Sequence, residues 1–457
     1  MSVVLSHSTK NPVDYMFINN IAREKQRQFV VWSIFFIYFL YLIEGALRKW
    51  LLPGLSGPLT LLRDPFVIAL YIYCLFKRLI MRRGIASTWL SFAIFISCFG
   101  LIQYMSSGYS LMGWFLGVRS YWLYMPLAFI VAVTFQPKDI MSFLKFNLWI
   151  SLPYAMLIAN QYASGPKAFI NHGVGGDDSG AVVLGYLDIV RPFGLFTYTF
   201  PNVQFTSAIV AIFLAIFLSR PKEQPNKIFF FAMSLAVATM SVLTGSRYIF
   251  FSVGIIIAFT LLSLIATRMN IKTLFRIFFI LLFAALAGWI LVQVFPDMLA
   301  AMEARIEIAS RSEGSLWDRI YYSGFSFLDA FKTAPILGHG IGSGASGVVR
   351  FLGLPQLLYG EADTQRNINE LGIIFGSIFL IMRWLTSLWL LITAIKLARK
   401  GLPIVLPLAG FAAFPIAVGQ ITNSTIIAFL PWLFLGIILS CNSMLISPPS
   451  HLQRIDL

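Results

Sequence analysis

Residues 296–366 read PDMLAAMEARIEIASRSEGSLWDRIYYSGFSFLDAFKTAPILGHGIGSGASGVVRFLGLPQLLYGEADTQR. This polar stretch lies between an apolar run at about 274–295 and another at about 367–394, and that contrast sets the fold class. It holds five arginines (Arg305, Arg311, Arg319, Arg350, Arg366), a group of carboxylates and a Gly-rich tract. A connection of this length between spans is functional or disordered. Its aromatics and amphipathic turns argue against disorder.

The rest of the chain is mostly apolar. Its 457 residues are 58% hydrophobic and 12% charged, about half the charged fraction of a soluble domain. Apolar runs fall at about 29–47, 65–80, 89–105, 119–135, 140–160, 201–219, 227–244, 247–266, 274–295, 367–394, 402–420 and 424–443. Each reaches or approaches the ~20 residues that span a bilayer. The expected fold is therefore an all-α polytopic membrane protein of about 12 transmembrane helices. A tail (1–28) precedes helices 1–9 (29–295), which include an outer loop at about 161–200. The large, partly helical loop 296–366 separates helix 9 from helices 10–12 (367–443), and a second tail (444–457) follows. The N-terminus is polar and lacks an early apolar core with a small-residue cleavage site, so no cleaved signal peptide is expected. Cys74, Cys98 and Cys441 fall in or beside the runs and read as packing residues, with no disulfide framework and no metal spacing. The net charge of +15 is accounted for by basic inner loops, and no nucleic-acid partner is expected.

Lys and Arg positions set the orientation. With the N-terminus inside, the inner segments carry 19 basic residues and five acids; the outer segments carry thirteen and fourteen. Both termini are then cytoplasmic and 296–366 lies outside. The outer cations are biased to arginine (48, 63, 119, 191, 247, 305, 311, 319, 350, 366). The planar fork of arginine binds phosphate or carboxylate in two places at once. That bias points either to a phosphate-bearing ligand or to pairing with the outer acids. Glu44 and Arg48 are spaced i,i+4 and pair most simply with each other. Arg383 lies well inside the tenth run, where a charge is a functional candidate or reaches a lipid phosphate. No internal repeat marks the chain as a repeat-built transporter.

Four motifs stand out. Ser315-Leu-Trp-Asp318 reads as a capping box opening an amphipathic helix to about Thr333, with Arg319 in its first turn. Such a helix end and guanidinium act together on one anion; an Asp318–Arg319 pair is the alternative. Gly338-His-Gly-Ile-Gly342-Ser-Gly344 follows no strand, so it is no nucleotide fingerprint; it lets backbone approach a bulky ligand or another helix. Glu361-Ala-Asp363-Thr-Gln-Arg366 leads into the tenth run. There Asp363 is placed to cap the helix, Arg366 to pair with Glu370, and Glu361 to act as a general base at a partly desolvated edge. Capping and solvation are the plainer roles for both acids. Gly245-Ser-Arg247 and Arg191-Pro-Phe-Gly each place an arginine at the outer level.

At these residues the chain resembles the bacterial O-antigen ligase/O-antigen polymerase superfamily of membrane glycosyltransferases. The resemblance rests on GSR at 245–247, WDR at 317–319, PILGHGIGSG at 335–344 and E-x-D…R…ELG…G at 361–376. It implies a GT-C-like bundle in the bacterial inner membrane with its active face in the periplasm. It further implies an inverting, metal-independent transfer with no cofactor, from an undecaprenyl-diphosphate-linked glycan donor to an acceptor glycan. Surrounding membrane lipid, and flippase and chain-length regulator proteins of the same pathway, are the implied partners. Catalytic roles fall to Glu361 and Asp363, and diphosphate binding to Arg247, Arg319, Arg366, Arg311 and Arg191. The ligase branch carries a His eleven residues before the first Gly of the helix. Glu361 stands there relative to Gly372, which resembles polymerases of O-antigen, capsule or exopolysaccharide. The alternatives are a ligase that transfers glycan to lipid A core, and a transporter or flippase for the same lipid-linked glycan.

Overall fold

The computed structural model describes residues 12–106, 110–181, 183–184, 189–219, 224–266, 321–322, 324–353 and 359–446, with isolated positions between 275 and 293. Helices α1 (Pro12–Ala46), α2 (Asp64–Lys77), α3 (Ile85–Ser106), α4 (Leu111–Trp122), α5 (Met125–Thr134), α6 (Pro137–Ala163), α7 (Thr199–Leu218), α8 (Lys227–Leu243) and α9 (Arg247–Ala266) form the first part. A π-helical turn, Leu47–Leu51, extends α1. The later part holds short α10 (Phe327–Ala330) and α11 (Ser346–Leu352), then α12 (Asp363–Arg399), α13 (Val405–Val418) and α14 (Thr425–Ile446). The one sheet among the described residues pairs β1 (Val183–Leu184) with β2 (Ile189–Val190), antiparallel.

The protein is a helical membrane protein. Among the described residues, eight helices are long and apolar enough to cross a bilayer, and α4 with α5 makes a ninth candidate bent by 41°. Helices α8 and α13 are apolar but shorter. The expected ninth helix (274–295) lies largely outside the described residues. The expected single helix at 119–135 is two. Pro126 has no N–H to donate to the carbonyl one turn earlier and its ring crowds that turn, so the helix breaks between Trp122 and Met125, with Pro126 in the first turn of α5. Helix α4 instead starts early, where Ser110 Oγ accepts from Met112 N at 3.2 Å.

A helix that is apolar all round belongs inside. Accordingly α7 and α14 are innermost, with 89% and 94% of their apolar windows buried, against 28% for α2 and α3. Helix α14 packs on α5 and α13, and α13 on α9 and α12. Aromatic rings fill the contacts: Trp89 meets Trp432 and Phe379 edge-on, and its Nε1 donates to Thr386 Oγ1 at 2.9 Å. Cys74 and Cys441 are buried and Cys98 exposed, all as free thiols.

Ion pairs mark the two ends of the bundle. At the lower end, Arg27 of α1 donates to Thr134 O at 2.8 Å and pairs with Glu24 and with Asp139 at the start of α6. At the upper end, Glu44, Arg48 and Lys49 of α1 meet the starts of α2 and α7. Helix α12 also begins at the upper end. Its Gly372, at φ 84° and ψ 168°, interrupts the helix after two turns.

Candidate functional site

The break at Gly372 frees backbone groups that must be paired when buried. The Gly-rich tract pairs them. His339 N donates to Asn369 O and Gly340 N to Glu370 O, both at 3.0 Å, while Ile373 N donates to Pro335 O at 3.2 Å. The two backbones cross at Gly338 and Gly372. A Cβ on Gly338 would lie 2.4 Å from Gly372 N, and a Cβ on Gly372 would lie 2.4 Å from Gly338 N. Both glycines have positive φ, 79° and 84°. Of the two uses expected for this tract, the close approach of another helix is the one observed. Gln103 of α3 holds the tract from outside, donating to Leu337 O at 2.7 Å.

Beneath the crossing lies a buried charge network. Glu370 accepts from Tyr121 Oη at the end of α4 and from Gly344 N at 2.9 Å. Its Oε1 is 3.2 Å from Arg366 Nε, an ion pair without hydrogen-bond alignment. Arg366 donates to Asp363 and to Thr422 Oγ1 at 2.9 Å. Asp363 also accepts from Arg383 Nη1 at 2.9 Å and from Thr422 N at 3.2 Å. Asn367 donates to Tyr121 Oη at 2.9 Å and Thr422 Oγ1 at 2.8 Å, and accepts from Arg383 at 2.7 Å. Every one of these side chains is at least 97% buried. The network matches two carboxylates with two guanidiniums.

Arg383 neither reaches lipid nor faces an open path. Its Nε donates to Ile416 O at 2.8 Å, and Nη2 donates to Pro415 O and Gly419 O. With Asp363 and Asn367 this occupies all five N–H groups. The carbonyls lie at the C-terminal end of α13, which carries the negative end of the helix dipole. Pro415 O and Gly419 O also accept from Gly419 N and Ile421 N, respectively, at 2.9 Å, while Ile416 O takes its donor from Arg383. Arg383 is therefore the cap of α13. Asp363 does not cap α12: the N-cap position is Ala362, and Asp363 is the first helical residue with its carboxylate turned into the network.

The rim above this network is exposed and polar. Glu361 is exposed, and its carbonyl accepts from Gln420 Nε2 at 3.1 Å. Tyr322 Oη donates to Gln365 Oε1 at 2.8 Å. Partial burial and the nearby Glu361 charge both raise the Tyr322 phenol above its usual range. His339 stacks on Tyr359 with ring centroids 5.0 Å apart and planes at 8°. Burial lowers the His339 imidazole. Ser346 N and Oγ both donate to Asn423 Oδ1, tying α11 to the start of α14.

A second buried cluster adjoins it. Glu44 pairs with Arg63 at 2.6 Å and Arg48 at 3.3 Å. Asp64 pairs with Arg119 of α4, two residues before the Tyr121 that holds Glu370. Helix α4 thus joins both clusters. Lys49, 1% exposed, donates to Gly194 O at 2.8 Å between the rings of Trp50 and Phe193. This anchors the Arg191-Pro-Phe-Gly motif to α1.

The sequence-derived residues thus divide. Glu361, Asp363 and Arg366 meet at one place, with the Gly-rich tract over them. Arg191 and Arg247 are half-buried at the starts of the α7 and α9 segments. Arg311 and Arg319 lie outside the described residues, as does most of the helix expected from Ser315 to Thr333. Pairing with acids accounts for Arg48, Arg63, Arg119 and Arg366 among the arginines expected on the outer side. Sequence reasoning missed Tyr121, Asn367 and Thr422 altogether. A polar Asn367-Ile-Asn-Glu370 run inside an apolar helix was the available signal. Among the described residues, no three His, Cys, Asp or Glu are placed to hold a metal ion. Compared with known proteins, the chain matches no family model and no curated sequence.

Proposed function

We propose that this protein is a glycosyltransferase that polymerises undecaprenyl-diphosphate-linked oligosaccharide repeat units into O-antigen, capsular or exopolysaccharide at the periplasmic face of a bacterial inner membrane. The observation that supports it is the convergence at one rim of PILGHGIGSG, E-x-D, Arg366 and ELG, motifs up to about 40 residues apart. Exposed Glu361 takes the proton from the acceptor hydroxyl. The acceptor oxygen then bonds to the anomeric carbon of the donor glycan, the bond from that carbon to the diphosphate oxygen breaks, and the diphosphate leaves with the electron pair. Arg191 and Arg247, with Arg311 and Arg319, receive the charge that grows on the leaving group, where fixed cations accelerate the step. Asp363 and Arg366 are committed to each other and to Arg383 and Glu370, so in this mechanism they position the rim.

The test uses purified protein in vesicles with lipid-linked donor and acceptor. Longer lipid-linked glycans are expected. Transfer only to lipid A core would make it a ligase, and relocation across the bilayer without a new glycosidic bond would make it a flippase.

A further inference from the structure

The lower end of the bundle carries a feature that the upper rim does not use. A cavity of about 500 Å³ opens there, lined among others by Arg23, Glu24 and Arg27 of α1, Lys77 and Arg78 at the end of α2, and Val133 of α5. Its one carboxylate, Glu24, is already engaged by Arg27 at 2.8 Å and Lys138 at 3.5 Å. Arg27 is shared further with Asp139. Arg23, Lys77 and Arg78 have no carboxylate within ion-pair distance among the described residues. The cavity therefore has an excess of positive charge that the protein itself does not balance.

Arg78 adds an independent sign. Its φ of 55° is the only positive φ of a non-glycine residue among the described residues. It stands just past α2 in the left-handed conformation, where its N–H caps Cys74 O and Leu75 O. Glycine takes that position without steric cost. An arginine held there in a disfavoured conformation points to a use for its side chain. Beside the cavity, the outward faces of α1 and α2 expose Phe29, Trp32, Ile72 and Phe76, and Phe29 meets Tyr73 across the two helices with centroids 4.9 Å apart. A cation-lined cavity thus adjoins an apolar, aromatic strip.

We propose that this cavity binds the headgroup phosphate of an anionic phospholipid from the surrounding bilayer, with an acyl chain lying along Phe29, Trp32, Ile72 and Phe76. Arg23, Lys77 and Arg78 hold the phosphodiester. A cation near an anionic headgroup is worth about fivefold in binding.

Native mass spectrometry of the full-length protein, incubated with phosphatidylglycerol or phosphatidylcholine, tests this. Phosphatidylglycerol is expected to be retained in preference. Arg23→Gln, Lys77→Gln and Arg78→Gly are each expected to weaken that retention about fivefold, leaving phosphatidylcholine unchanged. Arg78→Gly also relieves the left-handed residue, so its melting temperature is expected to hold or rise; loss of lipid there is not loss of fold. If that variant melts lower, Arg23→Gln and Lys77→Gln, both exposed, carry the test. Equal retention by the triple variant would overturn the proposal. So would displacement of the lipid by millimolar inorganic phosphate, which would assign a soluble anion to the cavity.

Discussion

Gly338 and Gly372 cross backbone to backbone, each occupying the space that a side chain on the other would need. This contact locks the Gly-rich tract onto the broken start of α12. Alanine at either position meets both a positive φ and a main-chain overlap. Gly338→Ala and Gly372→Ala are each expected to destabilise the protein by at least about 1–3 kcal/mol from backbone strain alone. Thermal unfolding in detergent checks this, with Gly347→Ala, which meets open space, as the control that should not move.

Arg383 holds Asp363, Asn367 and the end of α13 with all five of its N–H groups. Arg383→Met leaves Asp363 buried with one cation fewer and takes from Ile416 O its side-chain donor at the end of α13. Breaking a buried ion pair from one side costs about 3–5 kcal/mol. Arg383→Lys is expected to fail nearly as badly, since an ammonium cannot reproduce the fork. A melting temperature within a degree of wild type for either variant would contradict this reading of the residue.

Tyr121→Phe removes one hydroxyl that donates to Glu370 and accepts from Asn367. The expected cost is about 1–3 kcal/mol, because buried Glu370 loses a donor. Combined with Glu370→Gln, the effects should fall short of additive, since both changes strike one network. A double-mutant cycle on unfolding measures the coupling.

The two carboxylates of the E-x-D motif are expected to separate by phenotype. Glu361→Gln alters an exposed side chain and should fold as wild type while glycan transfer falls by about 10²-fold or more. Asp363→Asn weakens the buried pairing with Arg366 and Arg383 and should chiefly lower stability. If Glu361→Gln transfers at the wild-type rate, the proton acceptor is another group.

His339 gives the tract a pH dependence. Burial depresses its imidazole, so the folded state binds protons less readily than the unfolded chain. A group with a lowered folded pKa contributes stability above its unfolded pKa and loses it as pH falls. The melting temperature is therefore expected to decline on acidification below about pH 6.5, and His339→Phe, which keeps a ring against Tyr359, should flatten that part of the decline. A comparison of the two melting curves between neutral and acid pH decides it.

Helices were legible because apolar runs of span length have few other fates in this composition. Ten of the expected runs coincide with described helices, most of them with shifted ends. The fourth run misled because its hydrophobicity continues across Pro126, while the backbone does not. The Arg366–Glu370 and Glu44–Arg48 pairs followed from helical spacing and are present. Arg383 could not be read: its partners Asp363, Ile416 and Gly419 lie 20 to 36 residues away, and spacing says nothing about which helices meet. For the same reason Tyr121 carried no signal, being 249 residues from Glu370. A polar residue in a span shows that a partner exists, but only the packing says which.

The network around Asp363 also imposes a sequence of events on the growing chain. Asp363, Arg366 and Glu370 emerge from the ribosome together, while Thr422, which completes the pairing of Asp363, follows 59 residues later. Until α13 and the start of α14 exist, the first turns of α12 hold charges that lipid will not accept. The pairing of that segment therefore cannot be completed before its own C-terminal neighbours have been made.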